Sequence, residues 1–288
     1  MILVVGATGN LGSMIVKRIC AQRHPVRALV REGSAYEEVQ KAGAAIAFGD
    51  LKEPDTLRSA CEDVKQVVST ATAVMRGGAD TIESVDHQGT SNLIDAAKNA
   101  NVEQFVYVSA VGFGPESSVP LARAKGLSEV KLKESGLTYS ILKPVNFMES
   151  WIGFVLGSQL AKGPSVTILG DGRVKHGFVA SENVADLAVT VLGHPQAQNA
   201  VIPLNGPGSF SYREIIKMIE RATGQTIAIH SVDAAQPLPG FPPFVSDLWR
   251  LLIEMGDLTL NSEETAQTYG IKLVHVEDFI QTMFETLS

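Results

Sequence analysis

Cysteine is scarce in this chain. Cys20 and Cys61 are the only two among 288 residues, and two cysteines are too few for a disulfide framework. Neither has the spacing of a zinc motif, and the six histidines show no metal-ligand spacing. We therefore expect a protein of the reducing cytoplasm that holds no metal.

Excess positive charge and long apolar runs are also lacking. Lys and Arg number 24 against 31 Asp and Glu, a net charge of −7 that argues against nucleic acid as a partner. No apolar run reaches the ~18 residues of a transmembrane helix, and the sequence starts on a strand with no signal peptide ahead of it. We expect a globular protein without a membrane partner, as a monomer or a homodimer.

Residues 2–13 predict a strand, a glycine turn and a helix. The run from Ile2 to Val5 is apolar, and residues 11–20 follow at helical period. Gly6 permits the tight turn, Gly9 lets the backbone approach a pyrophosphate, and Gly12 lets the helix pack against the strand. The turn therefore predicts a phosphate cradle, although its G-x-x-G-x-x-G spacing departs from that of typical dehydrogenases. Its predicted contacts are Gly6, Thr8, Gly9, Asn10, Leu11 and Gly12.

Strands alternate with helices through the first half of the chain. Apolar segments at 2–5, 26–30, 45–48, 66–70, 105–108 and 138–142 are predicted strands, separated by helical patterns. This alternation is typical of an α/β fold with a Rossmann-like, doubly wound parallel sheet. The alternation ends near Trp151. We therefore predict a dinucleotide-binding domain over 1–150 and a smaller α+β substrate lobe over 151–288, interleaved with the first.

Motifs along nearly the whole chain carry a family resemblance. They are Gly6-Ala7-Thr8-Gly9-Asn10-Leu11-Gly12, Gly49-Asp50-Leu51, Val85-Asp86, Phe105-Val106-Tyr107-Val108-Ser109, Lys125 with Glu129, Pro144 with Asn146-Phe147-Met148-Glu149, and Gly170-Asp171-Gly172. Together they resemble the NmrA-like branch of the atypical and extended short-chain dehydrogenase/reductases. That branch includes quinone reductases, isoflavone-type reductases and redox-sensing regulators. The resemblance implies a Rossmann domain that binds NAD(P) and a C-terminal substrate lobe.

The resemblance also assigns cofactor contacts. It places Asp50 at the adenine, although that carboxylate can instead cap the next turn. Small residues end the fourth strand, where they either leave room for a ribose or simply pack. The full set of predicted contacts beyond the glycine turn is Arg31, Asp50, Leu51, Ser69, Thr70, Ala71, Lys125, Pro144, Asn146 and Phe147.

The preference for NADP(H) or NAD(H) is predicted from Arg31. It follows the second strand, where an NAD site usually carries a carboxylate and where a guanidinium suits a 2′-phosphate. The adjacent Glu32 argues the other way, and a merely solvated Arg31 is the alternative. We predict NADP(H).

The catalytic pattern departs from that of full dehydrogenases. Those enzymes use Tyr-x-x-x-Lys, and the tyrosine position here is Leu121. The resemblance keeps Lys125 on the nicotinamide ribose and Ser109 beside the substrate. The alternatives are a solvated Lys125 paired with Glu129 and a serine bonded to its own loop. If Lys125 serves catalysis, Lys125→Met keeps the melting temperature and loses turnover.

The substrate contacts are predicted in the second half. His176 lies where the resemblance places the substrate pocket. Residues 237–255 combine prolines with large apolar side chains, and they cover either the core or a cleft for an aromatic molecule. The predicted contacts are His176, Phe241, Phe244 and Trp249.

The sequence thus favours an NADPH-dependent oxidoreductase that transfers hydride to a small apolar acceptor, quinone-like or enone-like. The alternative is a non-catalytic NADP(H)-binding sensor or regulator of the NmrA type, which the missing tyrosine favours. A sugar-nucleotide epimerase is disfavoured by the same missing tyrosine and by the lack of a basic cluster for a substrate diphosphate.

Overall fold

A computed structural model describes residues 1–285, and it contains thirteen strands in that range. In chain order they are β1 (Ile2–Val5), β2 (Val26–Val30), β3 (Ala45–Phe48), β4 (Gln66–Ser69), β5 (Gln104–Val108), β6 (Tyr139–Pro144), β7 (Asn146–Phe147), β8 (Ser165–Leu169), β9 (Lys175–His176), β10 (Phe178–Val179), β11 (Ala200–Leu204), β12 (Phe210–Ser211) and β13 (Ala228–Val232).

Helices connect these strands. They are α1 (Asn10–Ala21), α2 (Glu37–Lys41), α3 (Pro54–Ala60), α4 (Thr90–Asn99), α5 (Pro120–Glu134), α6 (Ser158–Leu160), α7 (Ser181–Thr190), α8 (Tyr212–Thr223), α9 (Pro243–Met255), α10 (Glu263–Tyr269) and α11 (Val276–Glu285). Wider π-helical turns at Ile82–Gly89 and Glu149–Gly157 lead into α4 and α6. No helix within the described residues combines the length and the apolar character needed to cross a bilayer.

Seven strands form one central sheet in the order β11-β6-β5-β4-β1-β2-β3. The pairings among β1 to β6 are parallel, which confirms the predicted Rossmann-like α/β fold. Strand order reverses between β1 and β4. In such sheets, ligands bind outside the carboxyl ends of the strands at this reversal. The residues that follow β1 and β4 are therefore the candidate ligand contacts.

The chain divides into two compact units. The first contains residues 1–143 and 184–203, and the second contains residues 144–183 and the chain from 204 onward. The core of the first unit is built from side chains of the buried strands and of the helices that cover them, such as Leu3, Phe105 and Leu132. The domain limits at residue 150 stay a prediction.

The second unit has its own apolar core, which includes Trp151, Phe178, Tyr212 and Trp249. Three two-stranded sheets support it: β10 with β7, β12 with β9, and β13 with β8. Helix α8 begins with a capping box, in which Ser211 and Glu214 bond each other's backbone N–H groups.

Candidate functional site

The glycine turn after β1 is tightly built. Gly6 has a φ of +81°, and a Cβ there would lie 2.7 Å from Thr70 Oγ1 and 2.9 Å from the Ala71 nitrogen. A Cβ on Gly12 would lie 2.0 Å from the Gly6 carbonyl oxygen. Only glycine fits at position 6, because of its positive φ and the closeness of Thr70 and Ala71, and only glycine fits at position 12, because the start of α1 packs directly on the turn.

The start of α1 is open to an anion. Its N-cap residue, Gly9, offers no side-chain hydrogen bond, and its first turn has no acidic residue. Within its first turn, therefore, no carboxylate offsets the positive end of the helix dipole, and the N-cap side chain takes up none of its N–H groups. This arrangement fits a pyrophosphate, as the glycine spacing predicts.

Four charged side chains meet beside this turn. The Asp80 carboxylate bonds Arg31 and Lys52, with Lys52 Nζ 2.5 Å from Oδ1, and Arg76 Nη1 lies 3.5 Å from Oδ2. The hydrogen bond from Lys52 is the main cause that holds the pKa of Asp80 below its usual value. Arg31 is therefore not merely solvated. Sequence reasoning missed Lys52, Arg76 and Asp80, because no motif marks them.

Three of these charged residues, Arg31, Arg76 and Asp80, share one cavity with the glycine turn. Its lining includes Gly6, Thr8, Arg31, Asp50, Leu51, Ala71, Arg76 and Asp80. The structure thus brings together predicted contacts from the ends of four strands. At neutral pH the cavity offers two guanidinium groups beside the helix start, a donor set suited to phosphate groups.

The other predicted contacts near the cavity have local partners as well. Asp50 Oδ1 accepts a hydrogen bond of 2.9 Å from the backbone N–H of Lys52. The carboxylate therefore caps the next turn, which is the alternative to its predicted contact with adenine. Ser69 is fully buried at the end of β4, and the Thr70 hydroxyl donates to the Val5 carbonyl at 3.2 Å. Their contacts with adenine and ribose stay predictions.

Ser109, at the carboxyl end of β5, donates a hydrogen bond to Glu129 of α5. The same carboxylate accepts from Lys143 at 2.8 Å, and Lys143 also donates to the Phe113 carbonyl. Ser109 therefore bonds the α5 carboxylate and not its own loop, while its contact with a substrate stays a prediction. Glu129 pairs with Lys143 of β6, which sequence reasoning had not singled out.

Lys125 is buried, with only 7% of the residue exposed. Its ammonium donates to the Val108 carbonyl at 3.2 Å, lies 3.8 Å from Asp86 Oδ1 and sits 5.1 Å from the centre of the Tyr107 ring. Burial alone would lower the pKa of Lys125, but neighbouring groups such as Asp86 outweigh it and raise that pKa. The group is a charged, internally paired ammonium. An unchanged melting temperature for Lys125→Met is therefore no longer expected, while contact with a ribose stays a prediction.

Two predicted substrate residues line a small cavity of the second unit. His176 and Trp249 meet there with Tyr212. Burial lowers the pKa of His176, so the imidazole is neutral at pH 7. Within residues 1–285, His176 Nδ1 and the Tyr212 hydroxyl find no hydrogen-bond partner. The cavity is small, about 30 Å³, and the substrate contact of His176 stays a prediction.

Trp249 is a core residue, because its ring lies 4.2 Å from the Tyr212 ring and 5.6 Å from that of Trp151. Phe241 and Phe244 are partly buried against the same core. The Arg250 guanidinium donates hydrogen bonds to the carbonyls of residues 234–236 and so fixes the loop that precedes α9. The segment 237–255 is thus packed on the core, and substrate contacts by its aromatic residues stay predictions.

The remaining predicted contacts lie where β6 ends and just after it. Pro144 closes that strand, and Asn146 and Phe147 form β7, which pairs in parallel with β10. Asn146 Nδ2 donates to the Gly177 carbonyl at 3.2 Å. Their roles toward a cofactor stay predictions. Among the described residues, no group of three or more His, Cys, Asp or Glu side chains is arranged to hold a metal ion.

The parallel sheet, the glycine turn and the open helix start define a Rossmann-like protein that binds a dinucleotide. The family model described as NAD(P)H-binding matches residues 6–195. The chain belongs to this NAD(P)H-binding family, and the cofactor class inferred from the glycine turn is confirmed. The resemblance to NmrA-like short-chain dehydrogenase/reductases is confirmed with it.

Two relatives are similar to this chain over most of its length. The NAD(P)H azoreductase of Xenophilus azovorans is 32% identical over 243 residues, which cover 83% of this chain and 81% of the relative. Photosystem II assembly factor Ycf39 of Cyanophora paradoxa is 32% identical over 234 residues, covering 81% of this chain and 72% of that protein.

Solved structures share the fold. The Escherichia coli NADPH-dependent quinone oxidoreductase QOR2, complexed with NADPH, has a TM-score of 0.83 at 19% identity and covers 99% of this chain and 100% of its own. The Citrobacter triphenylmethane reductase complexed with NADP(H) has a TM-score of 0.80 at 19% identity, covering 98% and 100%.

Proposed function

We propose that this protein is an NADPH-dependent oxidoreductase that transfers hydride to a small apolar, conjugated acceptor such as a quinone or an enone. The proposal rests on one combination of features: the chain has a glycine turn suited to a dinucleotide, but it lacks the tyrosine whose phenol donates the proton in full dehydrogenases. The cradle holds Gly9 and the start of α1 ready for a pyrophosphate. Leu121 stands where a carbonyl reductase of this type keeps its tyrosine. The relative named NAD(P)H azoreductase supports reductive chemistry.

A conjugated acceptor suits an active site that lacks the tyrosine proton donor. The bound reduced nicotinamide supplies the hydride, two electrons with one hydrogen. In a quinone or an enone the resulting negative charge spreads onto a distant oxygen, so proton transfer can follow hydride transfer instead of accompanying it. One proton from water or from the Lys143 ammonium then completes a two-electron reduction. An isolated ketone lacks this delocalisation and needs the phenol.

The residues of the chain would divide the binding task. The N–H groups at the start of α1 hold the pyrophosphate. Arg31, and with it Arg76, offers guanidinium groups to a 2′-phosphate. Ser109, Glu129 and Lys143 form a buried polar cluster at the carboxyl ends of β5 and β6, where a Rossmann protein places its reacting groups.

Steady oxidation of NADPH against a panel of acceptors tests the proposal. We expect turnover with benzoquinones, naphthoquinones or conjugated enones and none with isolated ketones. Absorbance at 340 nm measures it. Turnover of isolated ketones at a comparable rate would contradict the proposal, because it requires an acid that Leu121 cannot be.

Arg31→Ala is expected to weaken NADPH binding by about 10- to 100-fold, the range that a hydrogen-bonded charge pair contributes. NADH binding should change by less than about twofold, because NADH has no 2′-phosphate. Calorimetric titration of both reduced cofactors measures the two constants. Arg58→Ala is the matched control, since Arg58 pairs with Asp55 on an exposed face of α3. Equal or tighter binding of NADH by the unmodified protein would contradict the preference for NADPH.

A second candidate function is a non-catalytic NADP(H)-binding regulator. The burial of Lys125 between Val108 and Asp86 favours it, because that ammonium is engaged internally. Relatives named as photosystem II assembly factors are also consistent with it. Tight NADPH binding without oxidation above the blank by any acceptor would select this candidate.

The cytoplasmic location inferred from the two cysteines stays a prediction, consistent with the free thiols of Cys20 and Cys61.

A further inference from the structure

The cation cluster beside the glycine turn already contains an anion. Asp80 is directed inward, with 9% of its side chain exposed, and it contacts Arg31, Lys52 and Arg76. These are the cations that a 2′-phosphate would meet at this edge. A carboxylate and a phosphate monoester both accept hydrogen bonds from guanidinium and ammonium groups, so they compete for the same donors.

We propose that Asp80 is an internal competitor for the 2′-phosphate, and that it sets how strongly this protein discriminates NADP(H) from NAD(H). The inference rests on the proposed binding of NADPH through Arg31. When the 2′-phosphate enters, the Asp80 carboxylate gives up Arg31 and Lys52. When a cofactor without that phosphate binds, Asp80 keeps them.

The charge balance supports exchange over joint binding. Arg31, Lys52 and Arg76 carry three positive charges, and Asp80 with Asp50, whose Oδ2 lies 3.6 Å from Lys52 Nζ, carries two negative charges. A phosphate monoester adds about 1.5–2 negative charges at pH 7. With Asp80 in place the cluster would become negative. With Asp80 displaced, the charges nearly cancel.

The displacement requires only a movement of the Asp80 side chain. No helix or strand lies between Ser69 and Ile82. Gly77 and Gly78 precede Asp80, and a Cβ on either would meet no atom within 4 Å. The far end of the segment is held separately, because Asp86 accepts a hydrogen bond of 2.9 Å from the Ala73 nitrogen. The two neighbours of Asp80 are held, because Ser84 Oγ donates to the Ala79 carbonyl at 3.1 Å and accepts from the Thr81 nitrogen at 3.0 Å. The Asp80 side chain therefore turns away by rotation about its own bonds, and the glycine pair lets the preceding chain adjust.

Calorimetric titration with two adenosine nucleotides tests the competition between Asp80 and the 2′-phosphate, because neither nucleotide contains a nicotinamide. Adenosine 2′,5′-bisphosphate carries the 2′-phosphate, and adenosine 5′-monophosphate lacks it. Asp80→Asn keeps the size of the side chain and removes its charge. We expect this variant to bind the 2′,5′-bisphosphate roughly fivefold more tightly, the factor that one partly exposed ion pair is worth, with the 5′-monophosphate unchanged. Asp55→Asn, which removes an exposed carboxylate of α3 that pairs with Arg58, should change neither dissociation constant in calorimetric titration.

Each outcome of the calorimetry has a distinct meaning. Unchanged or weaker binding of the 2′,5′-bisphosphate by Asp80→Asn overturns the inference, and weaker binding would make Asp80 a residue that positions the cations. Equal tightening of both nucleotides also overturns it, because the effect would then not depend on the 2′-phosphate. Failure of the unmodified protein to bind either nucleotide would instead contradict the proposed function. A melting curve for each variant shows that folding is retained.

Discussion

Replacing Lys125 with methionine is expected to lower the free energy of unfolding by about 3–5 kcal/mol, the cost of breaking a buried ion pair from one side. Asp86 is fully buried, and Lys125 is its cationic neighbour at 3.8 Å. Methionine fills a similar volume, so the loss comes from the carboxylate left without a counter-ion and not from a cavity. Urea denaturation of the two proteins measures the difference.

Two further variants separate this effect from a general loss of a lysine. Lys131→Met removes an exposed lysine of the same helix that pairs with Asp95, and it should cost less than about 1 kcal/mol. Adding Asp86→Asn to Lys125→Met removes the unpaired charge and should restore part of the stability. If Lys125→Met is as stable as the unmodified protein and only turnover is lost, Lys125 serves the reaction instead of the fold.

Gly12→Ala is expected to raise the dissociation constant of NADPH at least about tenfold, which corresponds to 1.4 kcal/mol of lost binding. The new Cβ would lie 2.0 Å from the Gly6 carbonyl oxygen, so the start of α1 must move away from the turn. The added methyl group also overpacks this contact, which lowers the free energy of unfolding by about 1–3 kcal/mol. Calorimetric titration gives the binding loss, and thermal denaturation gives the stability loss.

Gly153→Ala is the matched control for this substitution. Gly153 also lies in a helical segment, and its added Cβ would be 3.9 Å from the Met148 carbonyl oxygen, an ordinary contact. Its effect on NADPH binding should be within about twofold, and its stability should stay close to that of the unmodified protein. If Gly12→Ala binds NADPH normally, the start of α1 does not hold the pyrophosphate.

Local pattern was enough to predict much of the first unit. The strands Ile2–Val5, Val26–Val30 and Ala45–Phe48 lie where the apolar runs predict them. The strands Ile2–Val5 and Val26–Val30 are short apolar segments that the parallel sheet buries. Ala45–Phe48 is apolar too, but it is the edge strand of the sheet and stays partly exposed. The capping box at Ser211 has an equally local signal. Short strands with mixed exposure, such as Ala200–Leu204 and Ala228–Val232, have no comparable pattern and were missed.

Side-chain pairing across the fold could not be predicted in the same way. Sequence spacing suggests that Lys125 pairs with Glu129 one helical turn away. In the structure Lys125 lies near Asp86 and Glu129 bonds Lys143. The partners come from distant segments that only the packed sheet brings together. The same holds for Asp80, which follows no strand and matches no motif, yet lies against Arg31.

The first compact unit is made from two separate stretches of sequence, with residues 184–203 returning to it after an excursion into the second. This order has a consequence for synthesis of the chain. Until β11 emerges from the ribosome, β6 is the edge of the sheet, with unpaired backbone groups along one side. At about 5–20 residues per second, the stretch from 144 to 203 keeps that edge open for roughly 3–12 s. A fragment that stops at residue 143 would keep it open permanently and would be prone to edge-to-edge aggregation.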